Sequence, residues 1–261
     1  MLFMSLPQIA ILFIAAVLGG TLNSVAGGGS FFTFPTLVFV GVPVIPANAT
    51  STVALWPGSI ASVGAYRRDL TQQNRGFLIL MVGTSLIGGI LGALLLLGTS
   101  QSAFVRLLPY LLLLATLLFT FSGPITRRLR GRTTGEPGGF SRRHLVGMAV
   151  AQFVIAIYGG YFGGGIGILM LATLALMGMN DINEMNGVKA LLTACINGSA
   201  MVTFIVRGAV FWPEAILMIV GTVIGGYGGA YYARKIDQKW IRLFVMIVGF
   251  ALTIYFFVQQ L

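Results

Sequence analysis

Apolar residues fill ten stretches of the chain, each closed by a short polar or glycine-rich interruption. In the first half they run over roughly 7–26, 29–44, 48–66, 77–97 and 104–123. In the second half they run over roughly 145–161, 164–179, 186–206, 214–232 and 240–258. A helix needs about 20 apolar residues to cross a hydrocarbon core of about 30 Å. All ten are expected to be helical, because an open strand edge leaves backbone groups unsatisfied in lipid. The stretches 29–44 and 164–179 are short for a full span. They read as half-helices, or as helices that stop inside the protein. The fold class is therefore an all-α polytopic membrane protein.

Composition agrees with this pattern. The 261 residues are 57% hydrophobic and only 8% charged, against about 25% charged in a soluble domain. The net charge of +10 would point to nucleic acid in a soluble protein. Here the basic residues sit between apolar stretches and read as topology signals instead. The first residues lack the positive region of a signal peptide and read as the start of the first span. The single cysteine, Cys195, and the single histidine, His144, offer no metal cluster, and no cofactor motif is present.

A repeat organises the stretches. Gly27-Gly28-Gly29 matches Gly163-Gly164-Gly165, and Val82-Gly83-Thr84 matches Val220-Gly221-Thr222. Gly88-x-x-x-Gly92 matches Gly225-x-x-x-Gly229, at nearly the same offset. The division is a first repeat over 1–125, a basic linker over 126–144 and a second repeat over 145–261. Thirteen of the 16 basic residues fall in three connections, 67–75, 127–143 and 234–242. Basic connections stay cytoplasmic, so the linker is cytoplasmic. With ten spans both termini lie outside, Ser100 lies outside and Thr134 inside. The charge bias flips between the halves, as five segments per half requires. The two repeats are thus expected to be inverted in the membrane. Counting the short segments as re-entrant gives eight spans and parallel halves, and leaves the flip unexplained.

The candidate chemistry lies at the glycine breaks. Asn23, Ser24, Gly27, Gly28, Gly29 and Ser30 form the first, and Gly163, Gly164 and Gly165 the second. Glycines at membrane depth break a helix, and backbone freed there must line a cavity or be satisfied by protein. A helix restarting after the break turns its positive N-terminal end towards an anion. Close helix packing is the competing role for glycine. Asn48, Thr50 and Ser51 open the third stretch, either capping it or meeting a small polar substrate. In the second half, Asn186 and Lys189 stand in the corresponding place, with Asn197 two turns on. A lysine inside an apolar stretch is costly and is usually functional. Its plainer roles are snorkelling or pairing with Asp181 or Glu184. Trp56, Trp212 and Trp240 fall near segment ends.

Taken in order, these residues resemble the TauE/SafE family of sulfite and organosulfonate exporters and related anion permeases. The resemblance rests on Asn23 to Ser30, Phe34-Pro35, Gly41-Val42-Pro43 and Ala47-Asn48-Ala49-Thr50 in the first half. In the second it rests on Gly163-Gly164-Gly165, Asn186-Gly187-Val188-Lys189 and Gly208-Ala209-Val210-Phe211-Trp212. It implies a multi-pass permease of the plasma (inner) membrane for small anions, often sulfur-containing oxyanions. Substrate, direction, a coupling proton or sodium ion, and homodimerisation are left open by the resemblance. An anion channel is the alternative reading, since positive helix ends also line pores. An enzyme would need clustered ionisable groups, which the chain hardly offers.

Overall fold

The structure is a computed structural model that describes residues 4–25, 28–130, 142–176, 179, 181–232 and 238–259. Among these residues there are eleven helices and no strand. In the first half they are α1 (Leu6–Val25), α2 (Ser30–Phe39), α3 (Val44–Ala65), α4 (Arg67–Thr71), α5 (Arg75–Gly98) and α6 (Gln101–Arg130). The second half holds α7 (Arg142–Tyr161), α8 (Ile166–Leu176), α9 (Ile182–Val206), α10 (Trp212–Tyr232) and α11 (Gln238–Val258). Each of the ten expected stretches carries one helix, and α4 is an unforeseen single turn on the Arg67-Arg68-Asp69 connection. Much of the basic linker, including Thr134, lies outside the described residues.

Among the described residues four helices are long and apolar enough to cross a membrane: Leu6–Asn23, Arg75–Gly98, Gln101–Leu118 and Asn183–Val206. Their outward faces carry exposed apolar side chains such as Ile87, Leu95, Leu114 and Val202. That surface suits lipid, where an apolar exterior carries no cost. Polar residues close the helices. Asn74 caps α5 by accepting from the Phe77 N–H (3.1 Å). Asp181 caps α9 by accepting from Asn183 and Glu184 (2.7 and 3.2 Å).

α2 and α8 hold 10 and 11 residues, about 15 Å at 1.5 Å per residue. That is half the hydrocarbon thickness, so neither crosses alone. α2 doubles back along α1, with Gln8 reaching the Val40 carbonyl (3.5 Å) at one end. At the other end Gly19 lies against Gly29 and Thr33. α3 then turns again: Thr33 bonds Ser51, and Gly29 meets Leu55 near the middle of α3. The first helix break is therefore set at mid-depth.

Glycine decides which long helices touch. Along α5 and α7, a Cβ at Gly88 would stand 2.5 Å from the Ala156 Cβ and 3.0 Å from the Phe153 oxygen. Along α1 and α10, a Cβ at Gly221 would stand 2.7 Å from the Ala16 Cβ and 3.0 Å from the Phe13 oxygen. Gly92 presses likewise on Ile157, and Gly225 on Val17. Both pairs run parallel. The structural partners are thus Gly88 with Gly221 and Gly92 with Gly225. This corrects the sequence match of Gly88 to Gly225 by one helical turn. A four-residue glycine spacing matches itself equally well one turn along, and only the facing helix fixes the register.

α3 and α9 cross near their middles and run antiparallel. The Phe211 N–H, just beyond α9, donates to Thr50 Oγ1 (3.0 Å). Trp56 Nε1 donates to the Ala194 carbonyl (3.1 Å). Gly187, early in α9, faces Tyr66 and Leu70. Trp56 is therefore an interior anchor of the crossing and not a residue at a segment end.

Candidate functional site

The starts of α2 and α8 flank this crossing. At the first break Asn23 reaches Ser59 Oγ (3.5 Å), and Gly28 accepts from the Phe31 N–H (3.1 Å). Gly29 accepts from Phe32 and Thr33 N–H and from Thr33 Oγ1 (3.1–3.2 Å). Ser30 is half-buried in the first turn of α2. Thr33 Oγ1 and Ser51 Oγ are 2.6 Å apart and both are buried. Ser24 is the next-to-last residue of α1, and its side chain and Gly27 lie outside what the structure describes.

The second break is closed differently. Gly163 and Gly165 adopt φ +80° and +76°, a conformation that L side chains resist. Tyr158 donates its hydroxyl to the Gly164 carbonyl (2.7 Å). Its own carbonyl accepts from the Phe162 and Gly163 N–H groups. Ala115 of α6 packs over Gly164 and Gly165. Gly29, by contrast, has helical angles (φ −56°, ψ −34°). It is glycine for space: a Cβ there would stand 2.6 Å from the Gly19 oxygen and 2.8 Å from Leu55. The two glycine triplets look alike in sequence but serve different physical needs.

Lys189 lies on α9 with its stem against Gly167, the second residue of α8. Its ammonium donates to Asn186 Oδ1 (2.9 Å). Among the described residues it has no carboxylate partner, and Asp181 serves as the α9 cap. The pairing with Asp181 or Glu184 is thus replaced by a bond to Asn186. A neutral partner leaves the charge uncompensated beside the positive end of α8. Such a place holds an anion more comfortably than a cation or a neutral solute. Asn197 is half-buried two turns further along α9.

Asn48, Thr50 and Ser51 do not cap α3, which begins earlier, at Val44 after Pro43. Asn48 donates to the Tyr161 carbonyl (3.0 Å), tying α3 to the end of α7. Thr50 receives the start of α10, and only Ser51 faces the α2 break. The structure thus groups Asn23, Gly28, Gly29, Ser30 and Ser51 at one break. At the other it groups Gly163 to Gly165, Asn186 and Lys189. Asn48 and Thr50 serve helix contacts. Thr33, Ser59, Tyr158 and Gly167 join the site unforeseen. The spacing Ser51, Leu55, Ser59 already put two hydroxyls on one α3 face, and Gly167 stands two residues past its triplet.

Comparison with known proteins adds an independent line. The family described as Sulfite exporter TauE/SafE matches residues 12–256. A "Probable membrane transporter protein" of Haemophilus influenzae is 26% identical over 246 residues, 94% of this chain and 92% of its own length. The "Probable membrane transporter protein YfcA" of Escherichia coli K12 is 29% identical over 95% of this chain and 89% of its own. "Probable membrane transporter protein ORF9" of a Sinorhizobium species is 30% identical, covering 94% and 91%.

Proposed function

The chain belongs to the Sulfite exporter TauE/SafE family and is a membrane transporter; from that premise we propose that its cargo is a small sulfur-containing oxyanion. Sulfite or an organosulfonate fits the reading, moved by alternating access between the two membrane faces. The observation that carries it is Lys189, an ammonium without a carboxylate partner among the described residues, held against the first turn of a half-helix. The substrate-binding set is Lys189 and Asn186 with the starts of α8 and α2, joined by Asn23, Ser30 and Ser51. Asn197 extends the same face of α9.

We read the two halves as inverted repeats. Three features support that reading: the parallel α1–α10 and α5–α7 pairs, the antiparallel α3–α9 crossing and the flip in charge. Parallel halves would make the matching helices α3 and α9 run the same way. Two breaks at mid-depth, one from each half, give a pivot at which one face closes as the other opens.

The test is uptake of labelled sulfite, sulfate, thiosulfate and sulfoacetate into proteoliposomes, with and without a proton or sodium gradient. Saturable, gradient-responsive transport of one sulfur oxyanion is expected. Large conductance without saturation would mark a channel and overturn the transporter mechanism. Lys189→Ala should weaken anion affinity roughly 10- to 100-fold, the loss of a charged hydrogen bond of about 1.5–3 kcal/mol. Lys189→Arg should keep part of it. Undiminished affinity in Lys189→Ala removes that residue from the site.

A further inference from the structure

The polar residues that open α3 and α9 correspond between the halves, yet one set is dry and the other is not. On α9, Asn186, Lys189, Thr193 and Asn197 follow one another at helical spacing and form a single stripe. All four are half-buried. Val202 and Val206 stand two and a half turns beyond Thr193 and Asn197, and so on the opposite face of α9. They are 55% and 77% exposed and mark the side that meets lipid. The surface left open on the polar stripe therefore faces an interior space. That space runs about 16 Å along α9, from Asn186 to Asn197. It ends there, because Ala200 and Phe204, next on the stripe, are fully buried. Its mouth lies at the start of α9, where Gly187 meets Tyr66 and Asp69 beside the basic 67–75 connection.

The start of α3 is closed. Thr33 of α2 and Asn48, Thr50 and Ser51 of α3 are all buried. Two of them bond across to the second half, Asn48 to the Tyr161 carbonyl and Thr50 to the Phe211 N–H (both 3.0 Å). On α9 the stripe bonds only within its own half, Lys189 to Asn186 and Thr193 to Met170 Sδ (3.6 Å). The Asn197 side chain makes no hydrogen bond among the described residues. Three residues past Phe211, a Glu214 carboxyl oxygen is buried with no donor among the described residues. Polar groups inside a membrane protein line a path or a water-filled cavity. A face held by two neutral hydrogen bonds, with one oxygen left dry, parts at modest cost and gains water when it does.

We propose that this is the inward-open state of the carrier, and that Asn48, Thr50 and Ser51 line an outer vestibule that opens as the α9 vestibule closes. On the alternating-access reading of two inverted repeats, on which this rests, each half takes the other's conformation in turn. The α3 start then gains the water that the α9 start loses. The Asn48 and Thr50 bonds are the outer latch, Phe204 the seal behind it, and Asn197 the deepest point the anion reaches from the cytoplasmic side.

The experiment is labelling by a membrane-impermeant methanethiosulfonate of the full-length chain carrying Cys195→Ser, in right-side-out and inside-out vesicles. Asn197→Cys should react from the inner face and not from the outer. Ser51→Cys should react slowly from either. Adding Asn48→Ala/Thr50→Val, which cuts the latch, should raise outer labelling of Ser51→Cys about tenfold and lower inner labelling of Asn197→Cys. Thr50→Val alone, which keeps the shape of threonine, serves if the double variant fails to insert. Asn197→Cys silent from the inner face overturns the vestibule. Outer labelling of Ser51→Cys that ignores the latch variants overturns the exchange. So does a rise there with inner labelling of Asn197→Cys unaltered. Both cysteines reacting from both faces without the latch variants marks an open pore and overturns alternating access itself. No cargo enters the assay, so a wrong choice of anion leaves every outcome as stated.

Discussion

Tyr158 does at one atom what three glycines do along the chain. Its hydroxyl holds the Gly164 carbonyl at 2.7 Å while its ring packs on the core around Phe162. Without it a half-buried carbonyl loses its donor, at a cost of about 1–3 kcal/mol. Tyr158→Phe should insert normally and melt earlier. It should also bind anion several-fold more weakly, because the start of α8 loses its brace. A binding isotherm beside a melting curve separates the roles: lower stability with unchanged affinity would make this bond packing alone. The polarity of Lys189 was legible in sequence because an ammonium inside an apolar run has few explanations. Tyr158 was not legible, since an aromatic inside an apolar stretch is ordinary until its hydroxyl is seen to land on the break. For Asn48 and Thr50 the polarity was legible and the partners were not. Polar residues at the expected start of a stretch look like caps, whereas α3 starts a turn earlier and these two bond to α7 and to the start of α10.

Among the elements, the two half-helices invite a direct comparison. Gly29 is confined by neighbouring atoms, Gly165 by its own torsion angle. At Gly165 a Cβ would find Ala115 at 3.4–3.7 Å, so space remains. The left-handed angle alone costs about 1–2 kcal/mol. Gly165→Asn should therefore stay closer to the parent melting temperature than Gly165→Val, because asparagine tolerates that angle and β-branched valine does not. At Gly29 no such ranking should appear, and even Gly29→Ala should destabilise strongly. Equal ranking at both sites would refute the distinction. The positions of all ten long or half-length helices were readable from the apolar runs. Their contacts were not, because glycine spacing repeats with the helical turn and carries no register of its own.

Across the whole molecule, the closest long-helix contacts join different halves. α1 lies on α10 and α5 lies on α7, glycine against backbone. The sequence pointed to the halves through their repeated triplets, yet a repeat says nothing about whom each half embraces. The arrangement sets a schedule for biogenesis. A ribosome adds about 5–20 residues per second, and roughly 200 residues separate the α1 face from its α10 partner. The nascent α1 must wait on the order of 10–40 s with its glycine face towards lipid or an insertion chaperone. Cutting the chain between 131 and 141 should accordingly give two fragments that are each degraded when made alone. Made together, they should restore a full-length-like complex on blue native gels. A first fragment that accumulates stably by itself would show that the embrace is dispensable. If the fragments behave as expected, the α1–α10 seam is the later of the two glycine-lined seams to assemble and the place where a stalled or truncated product is open to recognition by quality control.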